Sequence, residues 1–255
     1  MADLTKRIAR AVWTTYVLAI TFVGVTVTGH PRVASRQPQQ RTSTPREAPV
    51  QSVKSKSDLR ARTDDEKARA KFFDRYGADP LEPGDYTVTL PGTPPPPIPP
   101  GAPRPTFDQL LEHLACSTQL VVLGRAEQRA VHLNQRETYL FTDYDVHVER
   151  WLRPEHGAPS LKVSVDGGRV TIAGRPTIAG AEDPLHPAKR FIFRLQHIPG
   201  SGSLTPVGPP LADGDRWATA VRYLTLTSEV ANATVQLDSL AGDIARVGRS
   251  CAPGR

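Results

Sequence analysis

The chain has 255 residues, 25 of them proline, with 38% hydrophobic residues and a net charge of +6, so it is long enough for one or two domains although much of it is not packed core. Lys and Arg outnumber Asp and Glu by 16 to 10 in residues 1–106 and match them 16 to 16 in residues 107–255. A duplex-binding domain carries its own basic stripe, so a neutral C-terminal part argues nucleic acid out of the expected partners.

Residues 11–28, "AVWTTYVLAITFVGVTVT", follow Lys6, Arg7 and Arg10 and contain no charge. As a helix they reach about 27 Å, just enough to cross a hydrocarbon core. The run is longer than a usual signal-peptide core and has no small-x-small cleavage site, which favours a retained signal anchor within residues 1–29 over a cleaved signal peptide. Arg32, Arg36, Arg41 and Arg46 nearly balance the positive-inside rule. The short tail is expected to stay inside while the rest of the chain is exported. In the opposite orientation the same arginines would lie against an anionic inner leaflet, and the protein would be cytoplasmic and membrane-associated.

Residues 30–57 are rich in Gln, Ser, Pro and Arg and cannot bury enough surface to offset chain entropy, so a disordered basic linker is expected. Residues 58–77 read as a short charged helix, with a capping box at Thr63 and Glu66 and an end at Gly77. Phe72, Phe73 and Tyr76 near its end would dock it on the stalk or the domain; partner binding is the alternative. Residues 78–105 form a Pro-rich spacer whose polyproline character places the domain boundary there.

The globular domain is expected at 106–255. Thr106 caps a helix with Phe107, Leu110, Leu111 and Leu114 at helical spacing, and Leu120 to Leu123 suggest a buried strand. A long strand follows from Tyr139 to Leu152. Next, a Gly167-Gly168 turn would pair Val165 with Val170 and Val163 with Ile172 in a hairpin. Phe191, Phe193 and Leu195 alternate in another strand, one more is expected from Val221, and a closing helix turns Leu240, Ile244 and Val247 inward. Short strands, Gly-rich turns and no β-helix-β alternation give a mainly β fold: a small antiparallel barrel or sandwich with short terminal helices. Cys116 and Cys251, the only cysteines, flank this domain and in an exported protein are most simply a disulfide. They become two buried free thiols if the domain faces the cytoplasm.

"CSTQLVVLGRA", followed about twenty residues later by "YLFTDYDVHVERWLRP", resembles the start of netrin-like domains. These are the five-stranded OB-type barrels of netrins, complement components and tissue inhibitors of metalloproteinases. The stretch is also similar to uncharacterised exported bacterial proteins with the same opening strands, a Gly-Gly hairpin and a C-terminal helix. The resemblance implies an OB-type barrel. This chain has one cysteine pair where animal members have several, and Cys116 is internal, so the inhibitors' N-terminal cysteine mechanism does not carry over.

No G-x-S-x-G elbow, P-loop, G-x-G-x-x-G, H-x-H or H-E-x-x-H occurs, and no cofactor is implied. Asn232 opens a formal glycosylation sequon. One cluster remains. In "FTDYDVHVER", Asp143, Asp145, His147 and Glu149 stand two apart, so on a strand they share one face while Tyr144, Val146 and Val148 share the other. Carboxylates at that spacing can converge on a cation, which makes these four the metal or acid/base candidates. A solvated strand face accounts for them equally without chemistry, and it is the expectation adopted. The function expected is an exported or membrane-tethered, non-catalytic binding or structural module. Residues 11–28 hold it to the membrane, and a protein or cell-envelope component is its ligand. The alternative is an extracytoplasmic metal-dependent hydrolase using Asp143 and Asp145.

Overall fold

The structure is a computed structural model that describes residues 50–87, 106–180, 185–217 and 233–251. The hydrophobic run at 11–28, the linker up to residue 49, the proline run at 91–105 and the strand expected from Val221 lie outside the described residues. Among the described residues no helix is long and apolar enough to cross a membrane. In chain order the elements are β1 (Gln51–Val53), α1 (Asp64–Phe72), β2 (Tyr86–Thr87), α2 (Phe107–Cys116), β3 (Leu120–Leu133), β4 (Leu140–Arg153) and β5 (Ser160–Asp166). There follow β6 (Gly168–Ile172), β7 (Arg175–Ala179), β8 (Phe191–His197), β9 (Leu204–Pro206), β10 (Leu211–Ala212) and α3 (Leu237–Gly248).

The fold is mainly β, and its centre is a closed five-stranded barrel. β3 and β4 run antiparallel along their whole length, β5 continues antiparallel on β4, and β8 lies antiparallel on the other side of β3. β9 closes the ring by pairing parallel with β5 at Val163↔Leu204 and antiparallel with β8. Closure removes the unpaired edges that an open sheet would present. Side chains alternate, so Val122, Tyr144, Val146, Val163, Phe193 and Leu204 from five different strands fill the interior. Each such burial stabilises by about 1.5–3 kcal/mol.

α2 and α3 pack together on the outside of this barrel. α2 starts at a capping box in which the Thr106 side chain accepts from the Gln109 N–H, and its Leu110 and Leu114 meet Leu240 and Ile244 of α3 over Val121 and Ile192. Val247, also expected inward, is partly buried on the same cluster. Cys116 and Cys251 form a disulfide with Cα atoms 5.5 Å apart, tying the end of α2 to the turn after α3. Closing 135 residues contributes roughly 4–5 kcal/mol in the chain-entropy picture.

Two expectations about organisation need correction. The first concerns the Gly167-Gly168 hairpin. β5 and β6 do not pair: Asp166 lies opposite Phe141 in the barrel, whereas Gly168 lies opposite Ala179 in a second sheet. Gly167, at φ 89°, is a corner where the chain leaves one sheet for the other. Its N–H donates to the Leu140 carbonyl at 2.9 Å, and its own carbonyl accepts from the Thr142 hydroxyl at 2.7 Å. The hairpin turn is Ala173-Gly174, with φ of 49° and 79°, the two left-handed residues that a type I′ turn requires.

The second correction is that the proline run separates no domains. The second sheet has the order β1-β6-β7-β2, with β1 parallel to β6 and β2 parallel to β7. Both outer strands therefore come from residues expected to be linker and spacer. Leu59, Phe73 and Leu81 are fully buried against the rest of the fold. The disordered stretch thus does not extend through residues 51–57, and residues 81–87 of the spacer are folded. The helix expectation does hold: α1 begins at the Thr63–Glu66 capping box and runs into a short 3-10 turn at Phe73–Arg75, ahead of Gly77 at φ 75°.

Candidate functional site

β4 carries the ionisable run, and its neighbours decide what each side chain does. Phe141, Asp143, Asp145, His147 and Glu149 share a face, while Tyr144 and Val146 point into the barrel core. A bulge at Arg129 in β3 shifts the register, so that Asp145 lies opposite Glu127 and Asp143 opposite Ala130.

At the open end the charges pair across strands. Glu149 accepts from Arg125 Nε at 2.9 Å and Arg190 Nε at 2.8 Å, and Arg190 reaches on to Asp238 at 2.7 Å. These hydrogen bonds raise the Arg190 pKa and lower that of Asp238. Asp145 accepts from Arg129 Nε at 2.5 Å, a bond that also raises the Arg129 pKa. The His147 Nε2 lies 3.5 Å from Glu127. His147 and Glu149 are exposed, as a solvated face requires.

The other end is covered. α1 lies over it, with Phe73 stacked on Phe141 at 4.8 Å between ring centroids and Arg69 Nη2 donating to Asp143 Oδ2 at 2.9 Å. The spacing explains the fit: four residues along a helix rise about 6 Å and two along a strand about 6.6 Å, so Arg69 and Phe73 meet Asp143 and Phe141 in one register. His132 Nε2 stands 3.1 Å from the same Asp143 oxygen, and the Ser164 hydroxyl donates to Oδ1 at 2.6 Å. Burial by itself would raise the Asp143 pKa. The hydrogen bonds from His132 and Ser164, with the Arg69 charge, outweigh it and hold the carboxyl below its ordinary value.

Arg69 is 6% exposed and also binds Asp65 and the Ser203 hydroxyl. Asp65 accepts in turn from the Ser201 hydroxyl at 2.7 Å and the Gly202 N–H at 2.8 Å. The network thus joins α1 to β4, β5 and the turn between β8 and β9.

The solvated-face expectation is therefore right for His147 and Glu149 and wrong for Asp143. Arg69, His132 and Ser164 were not singled out by the sequence, because none belongs to a motif. The usable signal was the Arg69–Phe73 spacing on a helix already marked by its capping box.

The chemistry open to this cluster is limited by its order. Serine, aspartate and histidine are together, but the carboxylate sits in the middle, so the Ser164 hydroxyl donates to Asp143 rather than to an imidazole base. A nucleophilic triad needs the histidine between the other two. Asp143 and Asp145 are drawn to different cations, Arg69 and Arg129, rather than converging on a shared one. Among the described residues, no group of three or more His, Cys, Asp or Glu is placed to hold a metal ion. A groove of about 440 Å³ lies between α1 and the β3–β4 turn, lined by Arg60, Lys67, Lys71, Leu133 and Asn134 among others. In comparisons with known proteins, no family model, no curated protein and no solved structure matches the chain.

Proposed function

We propose that the protein is an exported or membrane-tethered, non-catalytic binding or structural module built on an OB-type barrel of the netrin-like kind. The observation that carries this reading is the pairing of β4: each of Asp143, Asp145 and Glu149 is taken by a cation or donor of the same chain, which supports a framework role for the strand over a reaction centre. The barrel's Greek-key closure, with its last strand parallel to the third, fits the OB type, a scaffold whose faces and loops serve as binding surfaces. The Cys116–Cys251 disulfide favours the outside of the cell, since such bonds persist in oxidising compartments. The ligand is a protein or another component of the cell envelope, and residues 11–28 supply the tether. A phosphatase reporter fused after Arg255 tests the placement. Activity outside the cytoplasm is expected; a reporter active only inside would replace this reading with a cytoplasmic, membrane-associated one. Divalent-cation titration tests the non-catalytic part: a cation-dependent melting shift lost in both Asp143→Asn and Asp145→Asn would reinstate the metal-dependent hydrolase.

A further inference from the structure

We infer that the groove between α1 and the β3–β4 turn binds a small amphiphilic anion, an acid group carried on a short aliphatic stem. Its volume of about 440 Å³ falls in the range of small-molecule sites. Alanine makes the room. Ala61 and Ala68 line the groove above the buried Ala70 and Leu133, so the floor is apolar and no long side chain of α1 fills it. The walls are held by the chain itself. Asn134 Oδ1 accepts from the Thr138 and Tyr139 N–H groups at 2.8 and 3.1 Å, and the Gln135 N–H donates to the Ala70 carbonyl at 3.3 Å, which joins the turn to the helix. Glu137 stands on the far wall at φ 56°, a left-handed conformation uncommon for a residue that bears a Cβ. Its carboxylate accepts from Arg60 Nε at 2.5 Å, with Lys56 Nζ 4.0 Å away. Strain of this kind persists where the surroundings over-determine it, and it collects at ligand clamps.

The rim selects the charge. Arg60, Lys67 and Lys71 line the groove against one carboxylate, Glu137, which already engages Arg60 and Lys56. Lys67 and Lys71 stand four residues apart on α1, about 6 Å along the axis, so the oxygens of a single acid group lie within reach of both. Lys67 also meets Asp64 at 3.0 Å, but that carboxylate is fully exposed and water screens the pair. Residues 30–49, which lead towards β1, carry four arginines and one acid, so the chain's own upstream segment does not match the charge of the rim. An apolar floor beneath a cationic rim calls for an acid head and an apolar tail on one molecule. This narrows the ligand of the binding module proposed above and rests on that reading for its biological sense. The reporter experiment and the one below fail independently.

The test is equilibrium dialysis of the full-length oxidised chain in nanodiscs of neutral phospholipid, with radiolabelled hexyl phosphate as the probe and empty discs as the blank. Saturable binding above the blank is expected. Inorganic phosphate, which lacks the stem, and hexanol, which lacks the acid, should each displace the probe roughly tenfold less well than unlabelled hexyl phosphate; these arms need no variant. Lys67→Met and Lys71→Met together should weaken binding by roughly three- to thirtyfold, whereas Lys189→Met, at an exposed lysine outside the groove, should leave it unchanged. No saturable binding, equal competition by inorganic phosphate or by hexanol, or a double variant that binds like the natural protein would each overturn the site. Displacement by hexaglutamate at a lower concentration than by hexyl phosphate would make an acidic protein segment the occupant and overturn the small-molecule assignment.

Discussion

The two ends of β4 show the same alternation of charged and apolar residues and behave as different materials. Around His147 and Glu149 the outer face is open, and its charges pair in solvent with Arg125, Arg190 and Glu127. Around Phe141 and Asp143 the same face is roofed by α1, and its one carboxylate holds a buried arginine, a histidine and a serine. The difference teaches that a period of two determines which side chains share a face, whereas burial depends on what the rest of the chain lays over it. Exposed pairs contribute about 0–1 kcal/mol. Breaking a buried one leaves an uncompensated charge and costs about 3–5 kcal/mol.

The comparison can be broken first at the roof. Phe73→Ala removes a fully buried ring that stacks on Phe141 and should destabilise by about 3–5 kcal/mol in urea denaturation. A loss under about 1 kcal/mol would mean that α1 does not cover the strand. Asp143→Ala should cost about 2–4 kcal/mol, since the carboxylate is partly exposed but Arg69 is not.

Acid sharpens the same contrast. The Asp143 and Asp65 carboxyls are held below their ordinary values, so the stability they contribute is present above about pH 4 and lost as pH falls through their lower folded-state values. Stability measured from about pH 6 to about pH 2 should therefore fall, and Asp143→Asn should fall less steeply over that range. At the open end, Glu149→Gln and His147→Gln should each change stability by no more than about 0.5 kcal/mol.

The elements around the barrel were legible where a local rule fixes them. Thr63 and Thr106 mark their helices by capping, the apolar spacing of Leu240 and Ile244 places the last helix, and the only two cysteines pair. What could not be read was long-range. Leu59 and Leu81 are single apolar residues in polar surroundings, so nothing local shows that they complete a core made elsewhere, and Phe73, beside Phe72 and Tyr76, marks a docking face without showing that Phe141 receives it. The Gly167-Gly168 pair offered a turn whose apolar register also agreed, yet Val163 and Ile172 belong to different cores. Ala173-Gly174, the actual turn, carries its strain at an alanine and sends only half of the usual glycine signal. The candidate site was legible to the same degree: the four residues of β4 were found, while Arg69, the buried cation that distinguishes Asp143 from Glu149, came from a segment expected to be outside the domain.

The most direct measurement is a double-mutant cycle between Arg69 and Asp143, with Arg69→Met, Asp143→Ala and the double variant compared by denaturant unfolding. A coupling energy of about 1.5–3 kcal/mol is expected, with the double variant distinctly more stable than the sum of the single losses implies, because removing both members leaves no stranded charge. Losses that add to within about 0.5 kcal/mol would show that α1 and β4 do not meet through this pair, and would contradict the inclusion of the N-terminal segment in the folded core.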